Sequence, residues 1–237
     1  MSYNVNYSLP GDAATMEAIA SVDPDVVFLQ ETNDEWKHAF VLRFGGTYPY
    51  QRYVPPDHHA QRQAWHAAGM GVMSKYPIAS VNRIDNDGGL FPSLRIVLDT
   101  NVGMVQVLNV HLHPPMTKGG NYMLGYFVTN GRRLHEMEHA VASLDPNLPT
   151  LIVGDFNEDS SGHALQFLID QGYADAVREL NGNARTWEWP LGPRNLRMQL
   201  DHMVHDAMLI PTTGGIVEAG NSDHKPVWAD FARMQAS

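Results

Sequence analysis

The chain has 237 residues, 43% of them hydrophobic and 18% charged, which supplies a sizeable core and excludes a chain too polar to fold. Its net charge of −10 argues against gripping nucleic acid through a broad basic surface, although a metal-loaded acidic site can offset that field locally. Cysteine is absent, which rules out disulfides, thiolate metal sites and cysteine nucleophiles.

Ser2–Tyr7 alternates and reads as a strand. Asp12 is placed to cap a short helix over Ala13–Ser21, ended by Asp23-Pro24. PDVVFLQET follows as a second strand, with Val26, Val27, Phe28 and Leu29 buried on both faces. Asn33–Phe44 is predicted helical, with Trp36, Phe40 and Phe44 at four-residue spacing. The segment Gly45–Ala68 reads as loop and edge, and Met70–Ser74 as a strand stopped by Tyr76-Pro77. Leu94–Asp99 and Met104–Leu112 form a predicted hairpin through TNVG. A Gly-, Pro- and aromatic-rich loop over Pro114–Tyr126 leads to a helix at Thr129–Leu144, the strand TLIVGD and a helix at Gly162–Gln171. Strand-like pieces at Gln199–His205 and Lys225–Phe231 finish the core. The helices fall between groups of strands rather than after every strand, and no linker or repeat interrupts them. The expectation is one domain over 1–237, with two packed sheets and helices outside, in preference to a doubly wound parallel sheet.

Polar residues collect where these strands end. Asn4 and Asn6 sit on the first strand, Glu31 closes the second, and VLNVHLH puts Asn109, His111 and His113 on one face by period two. TLIVGDFN surfaces at Asp155 and Asn157, QLDHMV sets Asp201 among apolar residues, and NSDHKPV brings Asp223 and His224 before the last strand. Each has an ordinary structural explanation: a cap for Glu31, an Asx-turn for GDFN, a solvated strand face for HLH. Together they supply what a hard-metal phosphoesterase requires. Mg²⁺ takes oxygen ligands, few carboxylates and substrate phosphate. Hydrolysis also needs a positioned water, a base and charge stabilisation.

The ordered set SYNVN, PDVVFLQET, NVHLH, VGDFN, LDHMV and SDHKPV resembles the endonuclease/exonuclease/phosphatase superfamily with the DNase-I-like fold, over Ser2 to Phe231. The resemblance implies a four-layer α/β/β/α sandwich of two mostly antiparallel sheets flanked by helices, and phosphodiester hydrolysis with Mg²⁺, with Mn²⁺ or Ca²⁺ as substitutes. It implies Asn4 and Glu31 on the metal side with Asp223 nearby, and His111 on the scissile phosphate. Asp155 would act on the attacking water and Asn157 on the phosphate, while Asp201 would orient His224, a base or phosphate-stabilising group. Departures from the family pattern are Tyr3 for a frequent Trp, Asn6 for a frequent Asp, which puts a second metal in doubt, and His202 where Arg or Tyr is common. His202 and Arg132 are carried as candidate substrate contacts.

Fold alone does not choose a substrate. Arg52, Arg62, Lys118, Arg132, Arg133, Arg185, Arg194 and Arg197, interleaved with Tyr53, Trp65, Tyr122, Trp187 and Trp189, suit a nucleic acid strand or equally snorkel and pack, and a nuclease is the expected activity. The alternative is a phosphoesterase for a lipid head group, with NYMLGYF at Asn121–Phe127 meeting the membrane surface, or for a small phosphorylated molecule. A non-catalytic binding module is a third reading, opposed by the retention of all the site residues. A monomer is expected. No run approaches the roughly 18 apolar residues of a membrane span. MSYNVNYS shows no signal peptide, so cytoplasm and cell envelope both stay open, the latter by way of an upstream leader.

Overall fold

A strand covered on both faces must be apolar at odd and even positions alike. The computed structural model describes residues 1–55, 66–86, 90–115, 122–182, 184–191 and 194–234, and it places β1 (Ser2–Asn4) and β2 (Val26–Gln30) in just that environment. With β3 (Tyr50–Val54), β4 (Met70–Ser74), β13 (Leu209–Ile216) and β14 (Val227–Arg233) they make a six-stranded sheet in the order β13-β14-β1-β2-β4-β3. A second six-stranded sheet is built from β5 (Ile78–Ile84), β6 (Ser93–Thr100), β7 (Gly103–His111), β8 (Thr150–Asp155), β9 (Ala174–Asp175) and β12 (Asp201–His205). Its order is β5-β6-β7-β8-β12-β9. The pairs β1–β2 and β7–β8 are parallel, and their neighbours are antiparallel.

Three apolar layers hold the sheets and helices together. Phe28, Met70 and Val72 of the first sheet meet Leu94, Ile96, Val107, Val153 and Met203 of the second. Outside the first sheet, Val27, Leu29 and Met73 pack on α1 (Ala13–Val22) and α2 (Asp34–Phe44) through Met16, Ile19, Trp36, Phe40 and Phe44. The four-residue spacing on α2 stacks Trp36 on Phe40 at 4.9 Å between centroids. Outside the second sheet, Val110, Ile152 and Val204 pack on Met137, Ala140, Leu165 and Leu168 of two later helices. The sandwich of helices, two sheets and helices expected from the sequence is the fold.

Local chemistry sets the ends of these elements. Asp12 caps α1 by accepting from Thr15 N at 2.7 Å, and Asn33 caps α2 by accepting from Trp36 N at 2.8 Å. The first strand stops at Asn4 rather than Tyr7, because Asn6 turns left-handed at φ 58° and its side chain bonds back to Ser8. The expected loop Pro114–Tyr126 contains the start of a helix, α3 (Tyr122–Val128), which precedes α4 (Asn130–Val141), α5 (His163–Asp170) and α6 (Ala176–Asn181). Among elements the sequence did not announce are β5, β9, β13, α6 and a two-stranded hairpin of β10 (Trp187–Leu191) and β11 (Arg194–Met198). Proline and paired glycines in LIPTTGGI and proline in WEWPL mask their strand character.

Gly154 controls how closely β7 and β8 approach. It has φ 137°, and a Cβ there would lie 1.9 Å from the Val110 carbonyl oxygen of the adjacent parallel strand. Gly154→Ala is expected to lower stability by about 2–4 kcal/mol, through strain and a displaced β7–β8 contact. Urea unfolding checks this, and an unchanged midpoint would mean that the close approach is not required.

Candidate active site

The site grows from strand register. His111 is paired with Asp155 across β7–β8, and Asp155 with Asp201 across β8–β12. Residues paired in register share a face, so the three side chains form a row at one end of the second sheet. Gly154 permits the close strand approach just before that row. On the facing sheet Asn4 ends β1, and Glu31 follows β2 in a left-handed conformation, φ 60°. His224 enters from the segment before β14.

Asn4 joins the two sheets. Its Nδ2 donates to Glu31 Oε1 at 3.1 Å and to Asp155 Oδ2 at 3.1 Å. Asp155 Oδ2 also lies 3.5 Å from His111 Nε2 and 3.5 Å from His224 Nε2. Asp155 Oδ1 accepts from Asn157 N at 2.8 Å, which closes an Asx-turn, and Asn157 (φ 52°) donates its amide to the Leu112 carbonyl at 2.9 Å. His224 Nδ1 is 2.9 Å from Asp201 Oδ2, so this nitrogen carries the proton in the neutral ring.

Burial and charge set the protonation states. Burial would discharge His224, but the Asp201 and Asp155 carboxylates hold its pKa well above the ordinary histidine value. His111 goes the other way, pushed down by burial to about 4 despite the pull of Asp155. Phe91 stacks on its ring, 3.9 Å between centroids and 9° from parallel. Burial raises Glu31 to about 7 and also raises Asp155.

Asn4, Glu31, His111, Asp155, Asn157, Asp201 and His224 therefore come together. Asp223 stands beside them with its two oxygens taken, accepting from Asn6 Nδ2 at 3.1 Å and Trp187 Nε1 at 3.1 Å. His202 does not join them. One step along β12 from Asp201, it points to the opposite face, is fully buried, and bonds Asp175 and the Glu158 carbonyl instead of substrate. Arg132 is exposed on α4, in electrostatic reach of the buried His113. His113 is itself a backbone anchor, donating from N to Glu136 Oε2 at 2.8 Å.

The candidate nucleic-acid residues divide. Arg133 is wholly buried in an ion pair with Glu158, Arg197 pairs with Glu188, and Trp187 is buried against His224 and Asp223. Arg133 and Trp187 are therefore turned inward, while Arg197 stays exposed in a surface ion pair. Arg62, Trp65 and Lys118, and the side chains of Tyr122, Trp189 and Arg194, lie outside the described residues. The NYMLGYF stretch ends with Phe127 exposed on α3, and Val128 after it is exposed too. Sequence reasoning gave no positioning role to Thr186, whose Oγ1 accepts from Asp201 N at 3.0 Å, to Phe91, or to Trp187 as the holder of Asp223. Only the Ser222 of SDH, bonded to the Asn4 carbonyl, carried a local signal.

A family pattern described as the Endonuclease/Exonuclease/phosphatase family matches residues 1–224. The chain belongs to this family. No curated protein matches the sequence. Solved structures share the fold at low identity. An endonuclease/exonuclease/phosphatase from Beutenbergia cavernae is 18% identical, covering 98% of this chain and 70% of its own, with a TM-score of 0.74. D. rerio TDP2, solved with a single-strand DNA product, is 15% identical over 98% and 97% of the two chains, with a TM-score of 0.69. A mannosyl-6-phosphatase from Bacteroides thetaiotaomicron is 14% identical over 98% and 98%, with a TM-score of 0.65. Members of the endonuclease/exonuclease/phosphatase family are hydrolases of phosphoester bonds.

The donor set of this family member fits a divalent cation. Glu31, Asp155 and Asp201 gather in one buried site, and no Lys or Arg among the described residues forms an ion pair with them. Asp201 Oδ1 is buried without a hydrogen-bond partner. Ligand atoms of Asp155, Asp201 and His224 lie within 4.8 Å of one another. Oxygen-rich and acidic, the cluster suits a hard ion. No helix among the described residues is long and apolar enough to cross a membrane.

Glu136 makes the electrostatics testable away from the cluster. Burial lifts its pKa from 4.5 to about 7. The folded state thus holds the proton more tightly, so its stabilisation is complete below pH 4.5 and is lost as the pH rises through about 7. Between pH 5 and 8 the wild type is expected to lose on the order of 1–3 kcal/mol that Glu136→Gln does not lose. Urea midpoints across that range check it, and parallel curves for the two proteins would refute it.

Proposed function

We propose that this chain is a divalent-metal-dependent hydrolase that cleaves the phosphodiester bonds of a nucleic acid strand, with residues 1–237 acting as one domain. The observation that carries this reading is the convergence on Asp155 Oδ2 of Asn4 from one sheet, His111 from the other and His224 from the segment between strands. Asp155 orients the attacking water and takes its proton, a role suited to a carboxyl group whose pKa is raised by burial. His224, charged through Asp201, stabilises the charge that develops on the phosphoryl oxygens. His111, kept neutral, and Asn157, with one amide hydrogen left after its bond to Leu112, donate to the same oxygens.

Glu31 and Asn4 would hold a Mg²⁺ ion, with Mn²⁺ or Ca²⁺ as substitutes, and Asp223 would stand behind them. Bound there, the ion supplies Lewis-acid charge to the phosphate. Exposed Arg132 and Arg185 remain to meet neighbouring phosphates. A second reading, a phosphatase of small sugar phosphates, is favoured by the loss of Arg133 to a buried ion pair, which takes one candidate cation from the rim.

A substrate panel separates the readings. The protein with Mg²⁺ or Mn²⁺ is expected to cleave single-stranded DNA or RNA and bis-p-nitrophenyl phosphate, and EDTA is expected to abolish turnover. Cleavage of mannose 6-phosphate or sphingomyelin without nucleic-acid cleavage overturns the nuclease assignment. Retention of nucleic acid with no cleavage of any substrate would make the chain a binding module. Within the site, Asp155→Asn and His224→Ala are each expected to lower kcat by about 10²–10⁴-fold. A near-wild-type rate in either variant removes that residue from the catalytic set.

A further inference from the structure

Asn157 is followed by Glu158, whose side chain is completely buried and points away from the acidic cluster. Its Oε2 accepts from Arg133 Nε at 2.9 Å and its Oε1 from Leu165 N, in the first turn of α5, at 2.9 Å. Arg133, equally buried, also donates to Thr129 Oγ1 at 2.6 Å, the Tyr126 carbonyl at 2.9 Å and the Asn130 side chain, around α3 and the start of α4, and to the His113 carbonyl at 3.4 Å. A Cβ on Gly162 would lie 2.2 Å from the Glu158 carboxyl carbon, so the chain leaves room for this carboxylate where it enters α5.

The Glu158 backbone is held from the other side. Its carbonyl accepts from His202 Nε2 at 3.0 Å, while His202 Nδ1 lies 2.8 Å from Asp175 Oδ2. Nε2 faces a carbonyl acceptor, and Nδ1 faces the Asp175 carboxylate with Gln199 Nε2 also 3.1 Å away. Burial opposes the charged ring, but Asp175 draws its pKa above the ordinary histidine value. Burying two ion pairs is costly, and apolar residues of similar volume are often as stable or more so. What the pairs add is directional restraint on one residue from both its side chain and its carbonyl, next to a left-handed asparagine.

We infer that Glu158 and His202 are positioning residues, which together with Arg133 and Asp175 clamp the Asp155–Glu158 turn so that Asp155 and Asn157 present their side chains to the reacting phosphate. The inference rests on the proposed hydrolase function. It assigns His202 to the reaction through the turn it holds.

The test compares His202→Leu, which removes the donor to the Glu158 carbonyl, with His202→Gln, whose Nε2 can replace it. With Mg²⁺ and bis-p-nitrophenyl phosphate, His202→Leu is expected to lose about 10–100-fold in kcat, the scale of a small misplacement of a reacting group. KM and the Mg²⁺ concentration for half-activity should stay within about twofold, and His202→Gln should restore most of the rate. Hydrogen exchange provides a readout that does not need turnover. The Asn157 amide, bonded to Asp155, should lose protection in His202→Leu while the amides of β8 keep theirs. Uniform loss of protection, a raised KM with unchanged kcat, or equal effects of Leu and Gln would overturn the clamp. If His202→Leu does not fold, Thr129→Val loosens the Arg133 arm and must show the same local exchange. A wild type that cleaves no phosphoester defeats the proposed function, and the exchange pattern then decides the clamp by itself.

Discussion

A single amide nitrogen, Asn4 Nδ2, lies between two carboxylates contributed by different sheets. Everything in the site depends on that bridge. Glu31 leaves β2 in a left-handed turn that a side chain rarely adopts, and the strain is held in place because its oxygens are claimed by Asn4 and by Tyr7 N. Asp155 leaves β8 through an Asx-turn that puts Asn157 in a second left-handed turn. Below the site, Gln30 Nε2 donates to Asn109 Oδ1 at 2.7 Å, and Asn109 reaches back to the Leu29 carbonyl at 3.2 Å. These buried amides tie the sheets together directly beneath the acids, so hydrogen bonds add to the apolar packing in setting the gap between Glu31 and Asp155.

That restraint lets the protein concentrate like charges. Three carboxyl groups and two imidazoles share a space from which water is largely excluded, and no Lys or Arg among the described residues pairs with the acids. Burial therefore raises Glu31 and Asp155, while Asp201 and Asp155 draw charge onto His224. Two histidines of the same cluster end in opposite states. His111, stacked on Phe91 and lacking a private carboxylate, stays neutral, while His224, with Asp201 at 2.9 Å, becomes a cation. A neutral donor and a positive donor thus stand beside one carboxylate, a division that the proposed hydrolysis would use.

The part of this arrangement legible in the sequence was the part written along single strands. Apolar runs ending in Glu31 and in Asp155–Asn157 announced strand ends with chemistry on them, and the order of the motifs carried the family and its sandwich. Faces and partners were harder. Asp201 and His202 are neighbours of similar polarity, and only the pairing of Asp201 with Asp155 determines which of them faces the site. Arg132 and Arg133 differ by one position on α4, yet one is exposed and the other fully buried because Glu158, distant in sequence, meets only the second. The β10–β11 hairpin and β13 escaped notice because proline and glycine interrupt their alternation, although Trp187 of that hairpin holds Asp223 in place.

The same logic separates what this protein can vary from what it cannot. His111, Asp155 and Asp201 lie in one row, and a slip of one residue in β7–β8 or β12–β8 would turn a member of that row into the packing behind the second sheet. Gly154 reinforces the constraint, since any side chain there would push β8 from β7. The surfaces around the row carry no such restriction. Phe127 and Val128 on α3, Arg132 at the start of α4 and Leu196 on β11 are exposed, and exchanging them disturbs neither register nor the bridge at Asn4. Arg133 marks the boundary between the two regimes, because it joins α3 to Glu158 and so to the Asp155–Glu158 turn. A chain built this way can vary α3, the α4 entrance and the hairpin, while the row His111–Asp155–Asp201 stays fixed by strand pairing behind them.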